Sequence, residues 1–377
     1  MKFTINQKLF CAALSRVQGI TGSRLTMPIL ANVLLSTSAP LPLLHISVSD
    51  LEVGYTTVID CNDIETPGSI TVPAKKIYEV VKGAPTGEIS FSLDPANNRV
   101  TIEAGTFVTT LAGLPADEFP EVNRVDGEDL ELDAAALLRL IGHVDYAQCA
   151  APEKYNICGV FLQIKDDDEG CSRLYAAATD GHRLAADSVP LPGDPRVIPA
   201  DLAKGIIIPR KGIAELKKIS PEGVLILQIL GNNLSISTEN ETFTLRLVDG
   251  QFPDIQRIIP TKILGSAHFN RQPLIDALDR VSLLSEGKSH AVTLSFDDGH
   301  IQLDSQNPEL GEAHDRVAAA LEGELSYRKL NAAYLVQALS VWDCGVVQIN
   351  LAGDLDPILV TPYGETEPLA VIMPLRG

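Results

Sequence analysis

What most constrains this chain is a pattern of helices and strands that recurs three times, at a spacing of roughly 130 residues. Three apolar stretches with helical periodicity open the copies: Gln7–Thr21, Ala135–Cys149 and Gln272–Ser285. Each precedes an apolar run suited to a buried strand, at Ile29–Leu35, Ile157–Ile164 and Ala291–Phe296. A strand pair follows: Leu44–Val48 with Gly54–Ile59, Leu174–Thr179 with Arg183–Val189, and His300–Asp304 with Glu312–Ala318. A strand then runs into a second helix at Ile70–Lys82, Ile206–Lys218 and Leu325–Ser340. Pro73 and Pro209 suit the start of these helices because the missing N–H costs little there, and Asn331 is the candidate N-cap in the third copy.

Each copy closes with three strands, from Glu88, Leu225 and Val346 onward, with turn signals at Asn97-Asn98, Asn232-Asn233 and Tyr363-Gly364. Two copies end on related phrases, LPADEFPEV at Leu114–Val122 and LVDGQFPDI at Leu247–Ile255. The pattern predicts an α+β chain of three similar domains, at 1–127, 128–263 and 264–377.

The formal net charge of -19 argues against a nucleic-acid partner if taken as a bulk property. Its distribution reverses that argument. The six expected helices hold about 13 Lys and Arg against about 5 Asp and Glu, and the rest of the chain about 17 against about 44. Glu forms helices as well as Lys does, so its scarcity there marks a phosphate-facing surface rather than a merely solvated one. Aromatic residues make up only 5% of the chain, and no zinc finger, recognition helix or base-stacking platform is present. Sequence-independent contact with the DNA backbone is what remains.

The phrase Thr179-Asp180-Gly181-His182-Arg183 is the most enzyme-like in the chain. Asp180 and His182 could form an acid–base pair, but no nucleophile accompanies them and the other copies have no counterpart; a turn is the better reading. Hydrolysis at Asp180 and His182, and a β-rich scaffold without a DNA role, stand as the alternatives. The seven histidines show no metal-ligand spacing, Asp166–Gly170 suits a solvated hairpin tip, and no phosphate-binding glycine loop occurs, so neither metal nor cofactor is expected. Six scattered cysteines read as free thiols in a reducing cytosol. No apolar run reaches the roughly 18–20 residues needed to span a bilayer, and the first ten residues show no signal-peptide core, so a cytoplasmic protein is expected.

Several phrases, in this order and spacing, carry a resemblance. They are Met1-Lys2-Phe3-Thr4 with Arg24 and Pro28-Ile29-Leu30; Val72-Pro73-Ala74-Lys75-Lys76; TDGHRLA at Thr179–Ala185; Ile208-Pro209-Arg210-Lys211-Gly212; LVDGQFP at Leu247–Pro253; and VIMPLR at Val371–Arg376. Along its whole length the chain resembles the bacterial DNA polymerase III beta subunit family, the sliding clamps. The resemblance implies three clamp domains per chain and a head-to-tail homodimer closing into a ring. Helices would line the hole, with antiparallel sheets outside. It implies a non-catalytic processivity factor of DNA replication that encircles duplex DNA. Its partners would be the replicative polymerase catalytic subunit, the clamp loader, and other DNA polymerases and repair factors.

It also implies residue roles. Arg24, Lys75, Lys82 and Tyr155 would contact DNA, although Asn156 stands where the family usually has a second aromatic residue. A pocket for partner peptides would take Ile157, Thr179, Gly181, His182, Arg183 and Leu184 from one stretch, then Pro253, Arg257 and Ile258. The third copy would add Asn331, Tyr334, Leu355, Pro357, Val371, Ile372, Met373, Pro374, Leu375 and Arg376. Ser289 replaces the bulky gate often found at this pocket, and Gly377 replaces a large apolar terminal residue.

Overall fold

In the computed structural model the chain is described over residues 1–377, except 22–26, 39, 123–124, 168, 192–197, 220, 286–289 and 376–377. Arg24, Asp168, Ser289, Arg376 and Gly377 therefore lie outside the described residues. The chain forms two compact units. The first comprises Met1–Ala135, Val197–Asp201 and Lys211–Leu247; the second comprises Ala136–Arg196, Leu202–Arg210 and Val248–Gly377.

Every copy begins with a strand that sequence periodicity does not announce: Lys2–Asn6, Leu130–Asp133 and Gly265–Asn270. Each buries only two apolar side chains, such as Phe3 and Ile5 or Ala267 and Phe269. That is too short an alternation to stand out beside the helix that follows. In the first copy Asn6 ends the strand and caps the Gln7–Val17 helix, its Oδ1 accepting from Lys8 N at 3.0 Å and Leu9 N at 3.3 Å. Such a cap is worth about 1 kcal/mol.

The opening helices stop earlier than their apolar patterns suggest, at Val17, Val144 and Ser282. The apolar run at Ile29–Leu35 is divided. A 3-10 turn occupies Pro28–Ala31, and the strand begins at Asn32. The run from Ile157 divides likewise: a 3-10 turn covers Pro152–Ile157 and the strand starts at Gly159. The second helices cover Ala74–Gly83, Arg210–Ile219 and Ala332–Ser340. Asn331 caps the last of them, its Oδ1 accepting from Ala333 N at 2.9 Å.

In the first unit a five-stranded sheet ends on the Phe107–Ala112 strand, and an eight-stranded sheet spans two copies of the repeat. The join is antiparallel, Val53–Asp60 against Glu241–Arg246, with Val53 opposite Leu245 and Tyr55 opposite Phe243. The second unit holds one twelve-stranded sheet, joined where Arg183–Pro190 meets Leu369–Ile372, with Leu184 opposite Val371. The strands of the middle copy are thus shared. Its opening strand Leu130–Asp133 and its last three belong to the first unit, and the strands between them to the second.

The packing beneath these sheets is apolar. In the second unit the Arg271–Ser282 helix buries Leu274, Leu278 and Val281 in one cluster with Leu335, Leu339 and Trp342. Each fully buried leucine contributes roughly 2 kcal/mol. Among the described residues, no helix is long and apolar enough to cross a membrane.

One backbone feature stands apart. Leu51, in the turn before the Val53–Asp60 strand, has φ 76°, a left-handed conformation that disfavours any side chain with a Cβ, and it is 63% exposed. Leu51→Gly should raise stability by about 0.5–1 kcal/mol, because relief of strain exceeds the added unfolded-state entropy. A urea midpoint below that of the parent protein would show the leucine to be unstrained.

Candidate peptide-binding groove and DNA-facing residues

The groove of the second unit is built on the turn that links Ser172–Thr179 to Arg183–Pro190. Asp180 Oδ1 accepts from His182 N at 2.9 Å and Arg183 N at 3.1 Å, while Thr179 Oγ1 accepts from Gly181 N at 3.2 Å and donates to Arg183 O at 2.6 Å. Gly181 has φ 91°, which glycine adopts without strain. Asp180 also pairs with Arg183 Nε at 3.1 Å. This carboxylate holds a turn together; exposed His182 donates to it through its backbone N and not through its ring.

Arg183 fastens the turn to its surroundings. Its guanidinium donates to Tyr146 O at 2.6 Å, to Asp180 and to Gln337, and it lies 4.4 Å over the Tyr334 ring. Burial pushes the Tyr146 phenol above its ordinary range. Tyr146 and Gln337 were not foreseen from the sequence, because they act on Arg183 from helical segments far away along the chain.

Beside this turn lies a depression of about 30 Å3, lined by Thr179, Gly181, Arg183, Leu184, Ile258, Val371 and Met373. Its floor is one apolar cluster that includes Ile157, Leu184, Phe252 and Val371. The final strand alternates faces, so Ile372 packs into the core cluster of the third copy instead. The strand continues as a tail, with Met373 N donating to His182 O at 3.0 Å and Leu375 N to Lys329 O at 2.7 Å. Leu355, Pro374 and Leu375 line a separate depression of about 440 Å3 with Tyr327 and Lys329. Leu355 is 85% exposed.

The other pocket residues line neither depression. Pro253 and Arg257 are exposed, Arg257 pairing with Asp254 at 2.9 Å. Asn331 is spent on its helix cap, Tyr334 lies under Arg183, and Pro357 is half-buried beside the Leu355 loop.

That loop depends on Arg328, which the sequence places among the basic helix residues. It sits instead in the Arg328–Asn331 strand, only 2% exposed. Its guanidinium donates to Gly353 O at 2.7 Å, Tyr327 O at 2.9 Å and Ser326 Oγ at 2.6 Å. Burial lowers its pKa, opposed by Asp354 and Asp356.

Other helix cations are also engaged locally: Arg16 with Glu241, Lys76 with Glu79, Lys211 with Asp50, Lys218 with Glu215 and Arg280 with Asp315. Lys8, Lys75, Lys82 and Arg139 are exposed and make no ion pair among the described residues. Lys75 and Lys82, seven residues apart, share one face of the Ala74–Gly83 helix, and Lys82 lies 5.5 Å from the Tyr78 ring centre. Tyr155, 58% exposed, sits in the Pro152–Ile157 turn of the second unit. Its neighbour Asn156 pins that turn, Nδ2 donating to Gln251 O at 3.1 Å.

Comparison with known proteins places this fold among the three-domain clamps. Family models for the N-terminal, central and C-terminal domains of the DNA polymerase III beta subunit match residues 1–123, 131–254 and 256–376. The beta sliding clamps of Pseudomonas putida and Caulobacter vibrioides are 31% and 32% identical, each comparison covering 100% of both chains. Among solved structures, the griselimycin-bound sliding clamps of Bartonella birtlesii and Pseudomonas aeruginosa match with TM-scores of 0.92 and 0.91, at 31% and 30% identity over 100% of both chains. The chain belongs to the DNA polymerase III beta subunit family, the beta sliding clamps.

Arg328→Met should cost about 1–3 kcal/mol, because the part-buried carbonyls of Gly353 and Tyr327 lose a charged donor. It should appear as a lower urea midpoint at unchanged m-value, and an unchanged midpoint would remove Arg328 from the support of the Leu355 loop.

Proposed function

We propose that this chain works as a ring-forming clamp that encircles duplex DNA without reading its sequence and tethers the replicative polymerase to it. Family membership makes it a processivity factor and not an enzyme. The observation that carries the ring reading is the state of the strand edges. Twice within the chain, the last strand of one copy pairs with the fourth strand of another: Glu241–Arg246 on Val53–Asp60, and Leu369–Ile372 on Arg183–Pro190. One strand of each kind is left. Phe107–Ala112 pairs only with Arg99–Ala104, and the Gly311–Ala318 stretch pairs only with His300–Asn307, among the described residues. Open edges invite pairing. Each edge would meet the other kind on a second copy, giving a head-to-tail homodimer whose heterologous contacts close into a ring when the three domains turn each chain through half a circle.

Lys75, Lys82 and Tyr155, with Arg24, are proposed to face the DNA, and the groove around Leu184, Val371 and Met373 to take short peptides. Apolar depressions beside His182, Arg183 and Arg257 suit extended segments with apolar anchors and acidic or main-chain groups at the rim. Polymerases, the clamp loader and repair factors are the proposed sources of those segments, and the cytoplasm the proposed compartment.

Retention on DNA tests the ring. The loaded protein should stay on nicked circular DNA and leave within minutes of linearisation; equal retention on both forms would overturn the reading. Lys75→Ala with Lys82→Ala should flatten the salt dependence of direct DNA binding by about two units of log–log slope. An unchanged slope would take these lysines off the interface. Met373→Glu should weaken polymerase binding roughly tenfold while dimer mass and thermal melt stay put.

A further inference from the structure

The turn that builds the peptide groove occurs a second time, in the first unit. At Ser49–Val53, Asp50 Oδ1 accepts from Glu52 N at 3.0 Å and Val53 N at 2.8 Å, as Asp180 does from His182 and Arg183. Ser49 Oγ accepts from Leu51 N at 3.2 Å, as Thr179 Oγ1 does from Gly181 N at 3.2 Å. The third residue has positive φ in both turns, 76° at Leu51 and 91° at Gly181. The neighbouring strand is tied on alike: Arg246 N donates to Glu52 O at 2.9 Å, as Met373 N does to His182 O at 3.0 Å. The linkers correspond as well, Phe119-Pro120-Glu121-Val122 to Phe252-Pro253-Asp254-Ile255.

Beside this second turn lies a groove of about 460 Å3. Each residue that lines the smaller depression by Gly181 has its counterpart in this wall, by register or linker alignment. One substitution gives it room: Val53 stands in place of the large, anchored Arg183. Gly54 replaces Leu184 and Thr244 replaces Val371, but there Thr244 and Val122 close over the glycine. A Cβ on Gly54 would fall 2.6 Å from Thr244 Oγ1 and 2.8 Å from Val122 Cγ1, so the floor admits no side chain there. The remaining wall mixes half-buried Val122 and Val125 and exposed Leu230 with Ser49 and Asn233, and exposed Leu51 stands at its edge. A leucine held in a glycine conformation, with its side chain in solvent, is the kind of strain that collects at functional sites.

The rim is more acidic than that of the other groove. Glu52, Glu121 and Asp126 face a single cation, Arg246, among the described lining residues, whereas beside the Gly181 groove Arg183 and Arg257 are matched by Asp180 and Asp254.

We infer that the Leu51 groove is a second docking site for an extended segment of a partner protein, one whose apolar anchors are flanked by Lys or Arg. The inference rests on reading the Gly181 groove as a peptide site. It selects a different ligand by charge, so one clamp could hold two partners by two non-competing motifs.

The test uses the full-length protein and two fluorescein-labelled hexapeptides, Lys-Leu-Lys-Leu-Phe-Lys and Glu-Leu-Glu-Leu-Phe-Glu, followed by anisotropy. A control peptide keeps the lysines and replaces the apolar residues with serine. The lysine peptide should bind saturably and about tenfold tighter than the control, since the groove supplies apolar burial as well as charge. Glu52→Lys with Asp126→Lys should abolish that binding and leave the glutamate peptide unaffected; Met373→Glu should do the reverse. Leu51→Gly, which should keep or raise the thermal melt, should weaken only the lysine peptide. Binding of the lysine peptide no tighter than the control, or loss of it through Met373→Glu, overturns the second site while leaving the first intact. Failure of the glutamate peptide alone overturns the Gly181 groove as its site and removes the ground of the analogy.

Discussion

The arrangement depends on backbone pairing across the boundaries between repeats. Leu184 opposite Val371 and Val53 opposite Leu245 are ordinary antiparallel register pairs, yet each joins strands from different copies of the pattern. Main-chain hydrogen bonds carry the joins, so they tolerate divergent side chains. This explains how the same seam forms around Leu184 in one place and Gly54 in the other. A one-residue slip would turn Val371 out of the groove floor and Ile372 into it, disrupting two apolar clusters at once.

On that frame, a few polar side chains set local shape. Asp180 and Asp50 each satisfy two backbone N–H groups of a tight turn. Arg183 and Arg328 do the longer-range work, donating to carbonyl groups that belong to other elements. Both are cations placed by hydrogen-bond geometry, and Arg183 is further held by an aromatic face. Arginine suits such positions because its planar fork of donors reaches several acceptors at once.

Charge operates differently on the helices. Much of the basic excess is answered by a neighbouring carboxylate: Lys211 by Asp50, Arg16 by Glu241, Lys218 by Glu215. Among the described helix cations that make no ion pair, Lys8, Lys75, Lys82, Arg139, Lys204 and Arg210 are exposed. Cations of this kind make sequence-independent phosphate contacts, which let a protein slide along DNA.

The threefold pattern, the α+β class, the family and most strands were legible in the sequence, because periodic burial and turn residues are local signals. So was the turn at Asp180-Gly181, since a glycine at positive φ after an Asx residue is a short-range motif. Short opening strands such as Leu130–Asp133 were not, for two buried residues make no period. Nor was the sharing of the middle copy's strands between two sheets, which depends on pairing between residues such as Val53 and Leu245 that lie far apart along the chain. The position of Arg328 was equally hidden. Next to a helix it reads as a surface cation, and only the carbonyls of Gly353 and Tyr327, brought to it by folding, make burial of its charge tolerable.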